Sequence, residues 1–231
     1  MARPYEDNIS PPTDDSASLI RGFSWPKADR LFRGDPRWRG SDDAYSIPLD
    51  EQRTLWLFGD TFIASDGGPR ATAQTVGNTV GIQTGRDPSA ASMQFFWPEP
   101  EGRPASVFRA AAPRSWLWPL HGTMVGGHLL IFLMVVRDRS RRGRDLIDAW
   151  RAAGPLGFFE VYDWTAMRIP NPLDDPAVWR IEPARLPPDR RGPIPGSTVI
   201  VDGDFVTAYA CDAKHRMFLC RWPGEDAAAA I

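Results

Sequence analysis

The sequence predicts an all-β chain assembled from repeated clusters of short antiparallel strands. The first observation is a series of apolar runs: AYSIPL, TLWLFG, NTVGIQTG, MQFFW, GTMVGG, HLLIFLMVV, GFFEVYDW, STVIVDG, DFVTAYA and HRMFLCRW. Each has strand length, is rich in Val, Ile, Phe, Tyr, Trp and Thr, and is bounded by Gly, Pro or Asp. The second is the near absence of sustained 3.6-residue periodicity. Only residues 145–153 (DLIDAWRAA) offer a short helix, inside an arginine-rich loop over 137–151 that reads as a solvated strand connection. The third is grouping. Residues 43–97 and 122–180 each hold a set of strands ending in aromatics, and 196–222 begins another. Four antiparallel strands form one propeller blade. A β-sandwich gives a comparable pattern.

Composition narrows the function classes. The 231 residues carry a net charge of −2, with 42% hydrophobic and 24% charged residues. Acidic and basic residues are interspersed, so no basic field marks a nucleic-acid partner. The longest apolar run, 129–136, is far short of the roughly 20 residues that a membrane-crossing helix needs. The N-terminus lacks the basic start and apolar core of a signal peptide. As written, the chain is expected in the cytoplasm, and an upstream start would make it secreted or periplasmic. The ten Trp and 23 Pro are unusual. Trp suits blade cores and sugar-stacking platforms alike, and frequent Pro implies many loops.

Taken in order, residues 1–20 are polar and read as a flexible tail, with one domain over 21–231. SIPL and TLWLFG form a hairpin around a turn at 50–53, and Arg86–Asp87–Pro88 reads as a turn. Phe158, Glu160 and Tyr162 alternate onto one face, and an exposed blade face is expected for them. Cys211 and Cys220 lie in a hairpin that turns near 212–214. This register places Cys211 beside the turn and Cys220 down the partner strand, too far apart to bridge. Both are expected as buried free thiols. No Cys or His spacing repeats in the manner of a zinc site, and no metal or cofactor is expected. G-x-x-x-x-G-K and G-x-S-x-G motifs are absent, which sets phosphoryl and acyl transfer aside.

Carboxylates mark the candidate chemistry. In the hairpin, residues just before the first strand and just after the second lie at one end, which brings Asp42 or Asp43 close to Asp60. Paired carboxylates suit glycoside cleavage, one protonating the leaving oxygen and one attacking or activating water. Turn-capping by a short Asp side chain is the competing reading. Asn78, at a strand start, offers an amide donor and acceptor to a sugar hydroxyl. His121 in WPLHG could face a pocket, and Trp38 could stack on a sugar or fill the core.

The ordered series GSDDAYSIPL–TLWLFGDTFI, VGNTVGIQTG, MQFFW, SWLWPLHGTMVGGHLLIFLM, GFFEVYDW, IPNPLDDPAVW and GSTVIVDGDFVTAYA resembles a known bacterial family. These are five-bladed β-propeller domains first catalogued as a domain of unknown function, among them endo-D-arabinanases and related glycoside hydrolases. The resemblance runs over about residues 37–222. It implies that acidic residues opening the first blade face the central pocket. Asp42 matches the family's D-x-x-Y-S pattern and Asp60 its F-G-D-T pattern, so both are implied as catalytic, with Asp43 a neighbour without a matching role. A matching Asn supports Asn78.

The expected function is therefore glycoside-hydrolase-like, endo-acting on a furanose-containing, arabinan-like polysaccharide through Asp42 and Asp60. A non-catalytic carbohydrate-binding or scaffold propeller and an inactive gene fragment are the alternatives. A five-bladed ring would need further blades after HRMFLCRWP. The expectation is about two and a half blades, with the outer faces of the first and last open and prone to self-association.

Overall fold

The structure, a computed structural model, describes residues 22–138, 159–185, 192–212 and 214–228. The proposed tail and the helix candidate at 145–153 lie outside the described residues. After a short helix, α1 (Pro26–Asp29), come β1 (Trp38–Ser41), β2 (Tyr45–Pro48), β3 (Arg53–Phe58), β4 (Thr61–Ile63), β5 (Gln74–Val76), β6 (Thr79–Thr84) and β7 (Ser92–Phe96). Then follow β8 (Ser115–Val125), β9 (His128–Asp138), β10 (Phe159–Ile169), β11 (Glu182–Pro183), β12 (Ile194–Asp202), β13 (Phe205–Cys211), β14 (Met217–Pro223) and a closing helix, α2 (Gly224–Ala228).

The all-β expectation is met by four antiparallel sheets. Three are meanders in spatial order β2-β3-β6-β7, β8-β9-β10-β11 and β12-β13-β14; the fourth is a small sheet, β1-β4-β5. The predicted strands appear in order. Two details differ. The second sheet starts at Ser115 rather than near 122, because SWLWPLHGTMV bends through a bulge between Pro119 and Gly122 and continues as one strand. The small sheet was not anticipated, since its strands are too short to show a period.

Local chemistry sets the turns. At 50–53, Asp50 Oδ1 accepts from the backbone N–H of Gln52 and Arg53 at 2.8 and 2.7 Å, while Arg53 Nε donates to Oδ2. These bonds hold the Asp50 carboxyl below its ordinary range, the Gln52 N–H first among them. The predicted cysteine register also holds: Cys211 pairs with Met217 and Cys220 with Ala208. Both thiols are free but half-buried rather than buried. A bulge between Val161 and Asp163 interrupts the alternation expected around Glu160. Glu160 is half-buried and ion-paired with Arg137, which also lies over the exposed Tyr162 ring at 4.8 Å.

Each interface between sheets has its own core. Leu55, Leu57, Val80, Leu117, Leu129, Ile131, Leu133 and Ile169 fill the space between the first and second meanders. Leu120, Leu130, Phe132, Trp164, Val199, Val206 and Ala208 fill that between the second and third. A third cluster of Trp38, Phe58, Ile63, Val76 and Phe95 lies between the first meander and the small sheet, with Phe32 packed on it. The outer face of the first meander is therefore covered, contrary to expectation.

The first strands β2, β8 and β12 meet at the junction of the three meanders. At Gly122 on β8 an added Cβ would fall 2.2 Å from the Leu130 carbonyl oxygen and 3.0 Å from Ile47 Cδ1. Neither can yield cheaply, because one is backbone and the other is core. Gly122→Ala is expected to cost about 3 kcal/mol and to lower the melting temperature by roughly 6–12 °C. Gly127→Ala, whose only penalty is a φ of +77° with open space around it, should cost about 1 kcal/mol. Comparing the two thermal melts checks the junction.

Candidate functional site

The site forms where the β2–β3 hairpin meets the small sheet. Asp42 follows β1 and Asp60 lies between β3 and β4. The two are clamped by reciprocal backbone bonds: Asp42 N–H donates to Asp60 O at 3.0 Å and Gly59 N–H to Asp42 O at 2.8 Å. Ser41 pairs with Thr61 immediately beyond. The sequence expectation that these aspartates share one end of a hairpin is thus met at the backbone.

Glycine at position 59 leaves room for the neighbouring aspartates. A Cβ there would approach Asp43 Oδ2 to 2.9 Å and Asp42 O to 3.3 Å. Asp43 adopts a left-handed φ of 57°, a conformation that Asp tolerates better than most residues. That twist turns its carboxyl inward against Gly59, although much of the residue is exposed. Burial, reinforced by the charge of Asp42, raises the Asp43 carboxyl above its ordinary range. Asp43 therefore belongs to the cluster, which its lack of a matching motif did not suggest.

Asp60 is half-buried, and Trp118 Nε1–H donates to its Oδ1 at 2.8 Å. Burial raises the Asp60 carboxyl; the indole hydrogen bond opposes this, and the charges of Asp42 and Asp43 add to the rise. Trp118 sits edge-on to Phe159 at 4.8 Å and near Trp116 at 6.0 Å. Sequence reasoning missed Trp118, yet the S-W-L-W-P alternation was the available sign: it puts Trp116 and Trp118 on one face of β8. Tyr45 also joins the rim, its phenol raised by burial and then by the Asp43 and Cys211 charges.

The other candidates face inward. Trp38 is 9% exposed, stacks on Phe95 at 4.5 Å and donates its indole N–H to Thr79 Oγ1 at 3.4 Å. Thr79 in turn meets Thr61 Oγ1 at 3.0 Å, and Thr61 donates to Gly59 O at 2.7 Å. Trp38 thus supports the Gly59–Asp60 turn from beneath and offers no open ring to a sugar. Asn78 is fully buried. Its amide donates to Phe108 O and Leu117 O, each at 2.9 Å, and accepts from Phe108 N–H at 2.8 Å. With its bonding so occupied, Asn78 ties β6 to β8 instead of holding a hydroxyl.

His121 accepts from Val199 N–H at Nδ1, 2.9 Å away, and its Nε2 lies 3.2 Å from Ser46 O. The acceptor role at Nδ1 puts the proton on Nε2, and the ring links the first strands of all three meanders. Trp38, Asn78 and His121 are thus each engaged in bonds within the protein. Among the described residues no three His, Cys, Asp or Glu side chains are arranged to hold a metal ion. No helix among them is long and apolar enough to cross a membrane.

A neutral side chain suits the Asp60 position better than a charged one. Because its folded carboxyl titrates above the unfolded value, the stability it contributes is complete below about pH 4 and is lost as pH rises through the folded value. Asp60→Asn keeps an acceptor for Trp118 and is expected to raise the melting temperature at pH 7, an advantage that disappears below pH ~4. Melts across that range check the sign; a lower melting temperature at pH 7 would mark Asp60 as a structural cap.

No curated protein matches the chain. Among solved structures, the crystal structure of a "putative hydrolase" from Bacteroides ovatus ATCC 8483 shares its fold, with a TM-score of 0.63 at 13% sequence identity. The match covers 88% of this chain and 53% of the other, so this chain spans about half the length of that protein. The model of the family described as Domain of unknown function (DUF5005) matches residues 27–171, well over half of the chain, and the protein belongs to that family.

Proposed function

We propose that the chain is a glycoside-hydrolase-like β-propeller whose three meanders are blades of the five-bladed type, with Asp60 as proton donor and Asp42 as its partner. The propeller reading is supported by the packing of β8 against both β2 and β12, the first strands of the three meanders. The observation that carries the catalytic reading is the environment of Asp60: a half-buried carboxyl, raised by burial and by two neighbouring aspartates, with its orientation fixed by Trp118. A general acid needs a raised carboxyl, and burial beside like charges raises one. The structural neighbour, described as a "putative hydrolase", is consistent with this class.

In this mechanism Asp60 gives its proton to the glycosidic oxygen as the C1–O bond breaks. Asp42, exposed and next to it in the clamp, acts as a carboxylate that attacks C1 or takes a proton from the attacking water. The charge of Asp43 adds to the rise of the Asp60 carboxyl. The Trp116–Trp118–Phe159 cluster gives the acid an apolar wall, which suits a sugar face. The substrate proposed is a furanose polymer of the arabinan type. The internal bonding of Trp38, Asn78 and His121 favours one second reading, a glycan-binding propeller without turnover.

Reducing-end release from arabinan and galactan separates the two readings. Hydrolysis of arabinan is expected, falling at least 100-fold in Asp60→Asn and in Asp42→Asn. Asp43→Asn should remain active with the alkaline limb of its pH profile moved to lower pH, because Asp60 then loses its proton more readily. Binding without cleavage in the wild type would establish the second reading. Unchanged cleavage in both Asp60→Asn and Asp42→Asn would remove the catalytic assignment.

A further inference from the structure

Trp118 treats the two carboxyl oxygens of Asp60 differently. Its indole N–H donates to Oδ1 at 2.8 Å, and an indole nitrogen can only donate. A protonated carboxyl has one carbonyl oxygen, a good acceptor, and one hydroxyl oxygen that carries the proton. The oxygen that faces the indole keeps the acceptor role, which leaves the proton to Oδ2. The choice is made from outside the hairpin, since Trp118 stands on β8 of the second meander.

Packing holds the donor in place. Phe159 on β10 lies edge-on to Trp118 with ring centroids 4.8 Å apart, and Trp116, on the same face of β8, lies at 6.0 Å. Trp116 is itself set close against Gly77, where an added Cβ would come 3.2 Å from its Cδ1. Asp60 is held through its backbone carbonyl by the Asp42 N–H, so donor and acceptor are fixed on separate sheets. The neutrality of the donor matters as well. Asp42 and Asp43 are the charged groups that act on Asp60. The titratable side chain of β8, His121, faces Ser46 and Val199 instead. A cationic donor in place of the indole would orient the carboxyl and also pull its titration down through charge. The indole orients it and leaves it raised.

We propose that Trp118 is a positioning residue that assigns the transferable proton of Asp60 to Oδ2, and that its hydrogen bond to Oδ1 strengthens as this proton leaves. The step rests on the reading of Asp60 as proton donor, whereas the placement of the proton rests on the geometry of the carboxyl. In the step the Oδ2–H bond breaks, the proton passes to the glycosidic oxygen, and the bonding pair stays on the carboxylate. The pair of the breaking C1–O bond goes to the oxygen that takes the proton. The bond from Trp118 to Oδ1 is then charge-assisted and stronger than the neutral bond it replaces. Stabilisation that grows toward the transition state raises kcat rather than substrate affinity.

NMR of the indole N–H groups of the full chain tests the placement without substrate. The Trp118 signal is the one whose pH dependence is largest and disappears in Asp60→Asn. On both sides of the Asp60 midpoint it is expected to exchange with solvent about tenfold more slowly than the indole of Trp25, a residue 51% exposed. Loss of that protection when Asp60 takes up its proton would put the proton on Oδ1 and overturn the proposal. Trp118→Phe keeps a ring against Phe159 and removes the donor. Its Asp60 carboxyl is expected to titrate higher than in the wild type, which moves the alkaline limb of arabinan hydrolysis to higher pH. Its kcat should fall about tenfold with KM within about threefold of the wild type. A lower melting temperature with the Asp60 titration unmoved would show a purely structural Trp118 and overturn the proposal. If Trp118→Phe does not fold, the wild-type indole measurement decides. If Asp60→Asn cleaves arabinan as the wild type does while the indole stays protected, the catalytic reading fails and the placement of the proton stands.

Discussion

The meeting of β2, β8 and β12 is the constraint on which the rest of the structure depends. His121 and Gly122, adjacent on β8, make it. His121 reaches Ser46 on one side and Val199 on the other. Gly122 lets β8 approach the Leu130 carbonyl and Ile47 more closely than any side chain would allow. The bulge after Pro119 is what turns both residues to the junction. Once these strands are fixed, each meander extends outward with one face on each neighbour, and apolar residues fill the interfaces. Asn78, spanning from β6 to the Leu117 carbonyl of β8, fastens the first interface a second time.

The candidate site depends on the same junction. Trp118 is three residues before His121 on β8, yet its indole ends on Asp60 of the first meander. The position of the second meander therefore decides whether the raised carboxyl has its hydrogen-bond donor. Beneath the turn, Trp38, Thr79 and Thr61 form a buried chain that ends on the Gly59 carbonyl. The aspartates are held from both sides, by a neighbouring sheet above and a buried polar chain below. Such support is what a proton donor needs, since its position must not change as its charge does.

Much of the fold was legible in the sequence because strand length, β-branched and aromatic content and turn residues agree along most of it. The β2–β3 hairpin was readable from SIPL, Asp50 and TLWLFG, and its Asx turn follows from one residue, Asp50. The strands β4 and β5 were not readable, since three residues cannot display alternation and their pairing is set by β1 far upstream. The proximity of Asp42 to Asp60 followed from hairpin geometry alone. The roles of Trp38, Asn78 and His121 did not. Each depends on partners 30 to 78 residues away in sequence, and local pattern cannot tell an amide that will meet a sugar from one that will meet a buried carbonyl. Asp43 was undervalued for a related reason, because its left-handed backbone shows only in three dimensions.

The account turns on one physical claim, that Asp60 holds its proton more tightly than an ordinary aspartate. Carbon-detected NMR titration of the aspartate carboxyls, with Asp60→Asn to identify the resonance, measures this without any substrate. The account predicts a carboxyl that titrates above the usual value of about 3.9, is lost in Asp60→Asn and moves downward in Asp43→Asn. An Asp60 carboxyl that titrates at or below that value would contradict it.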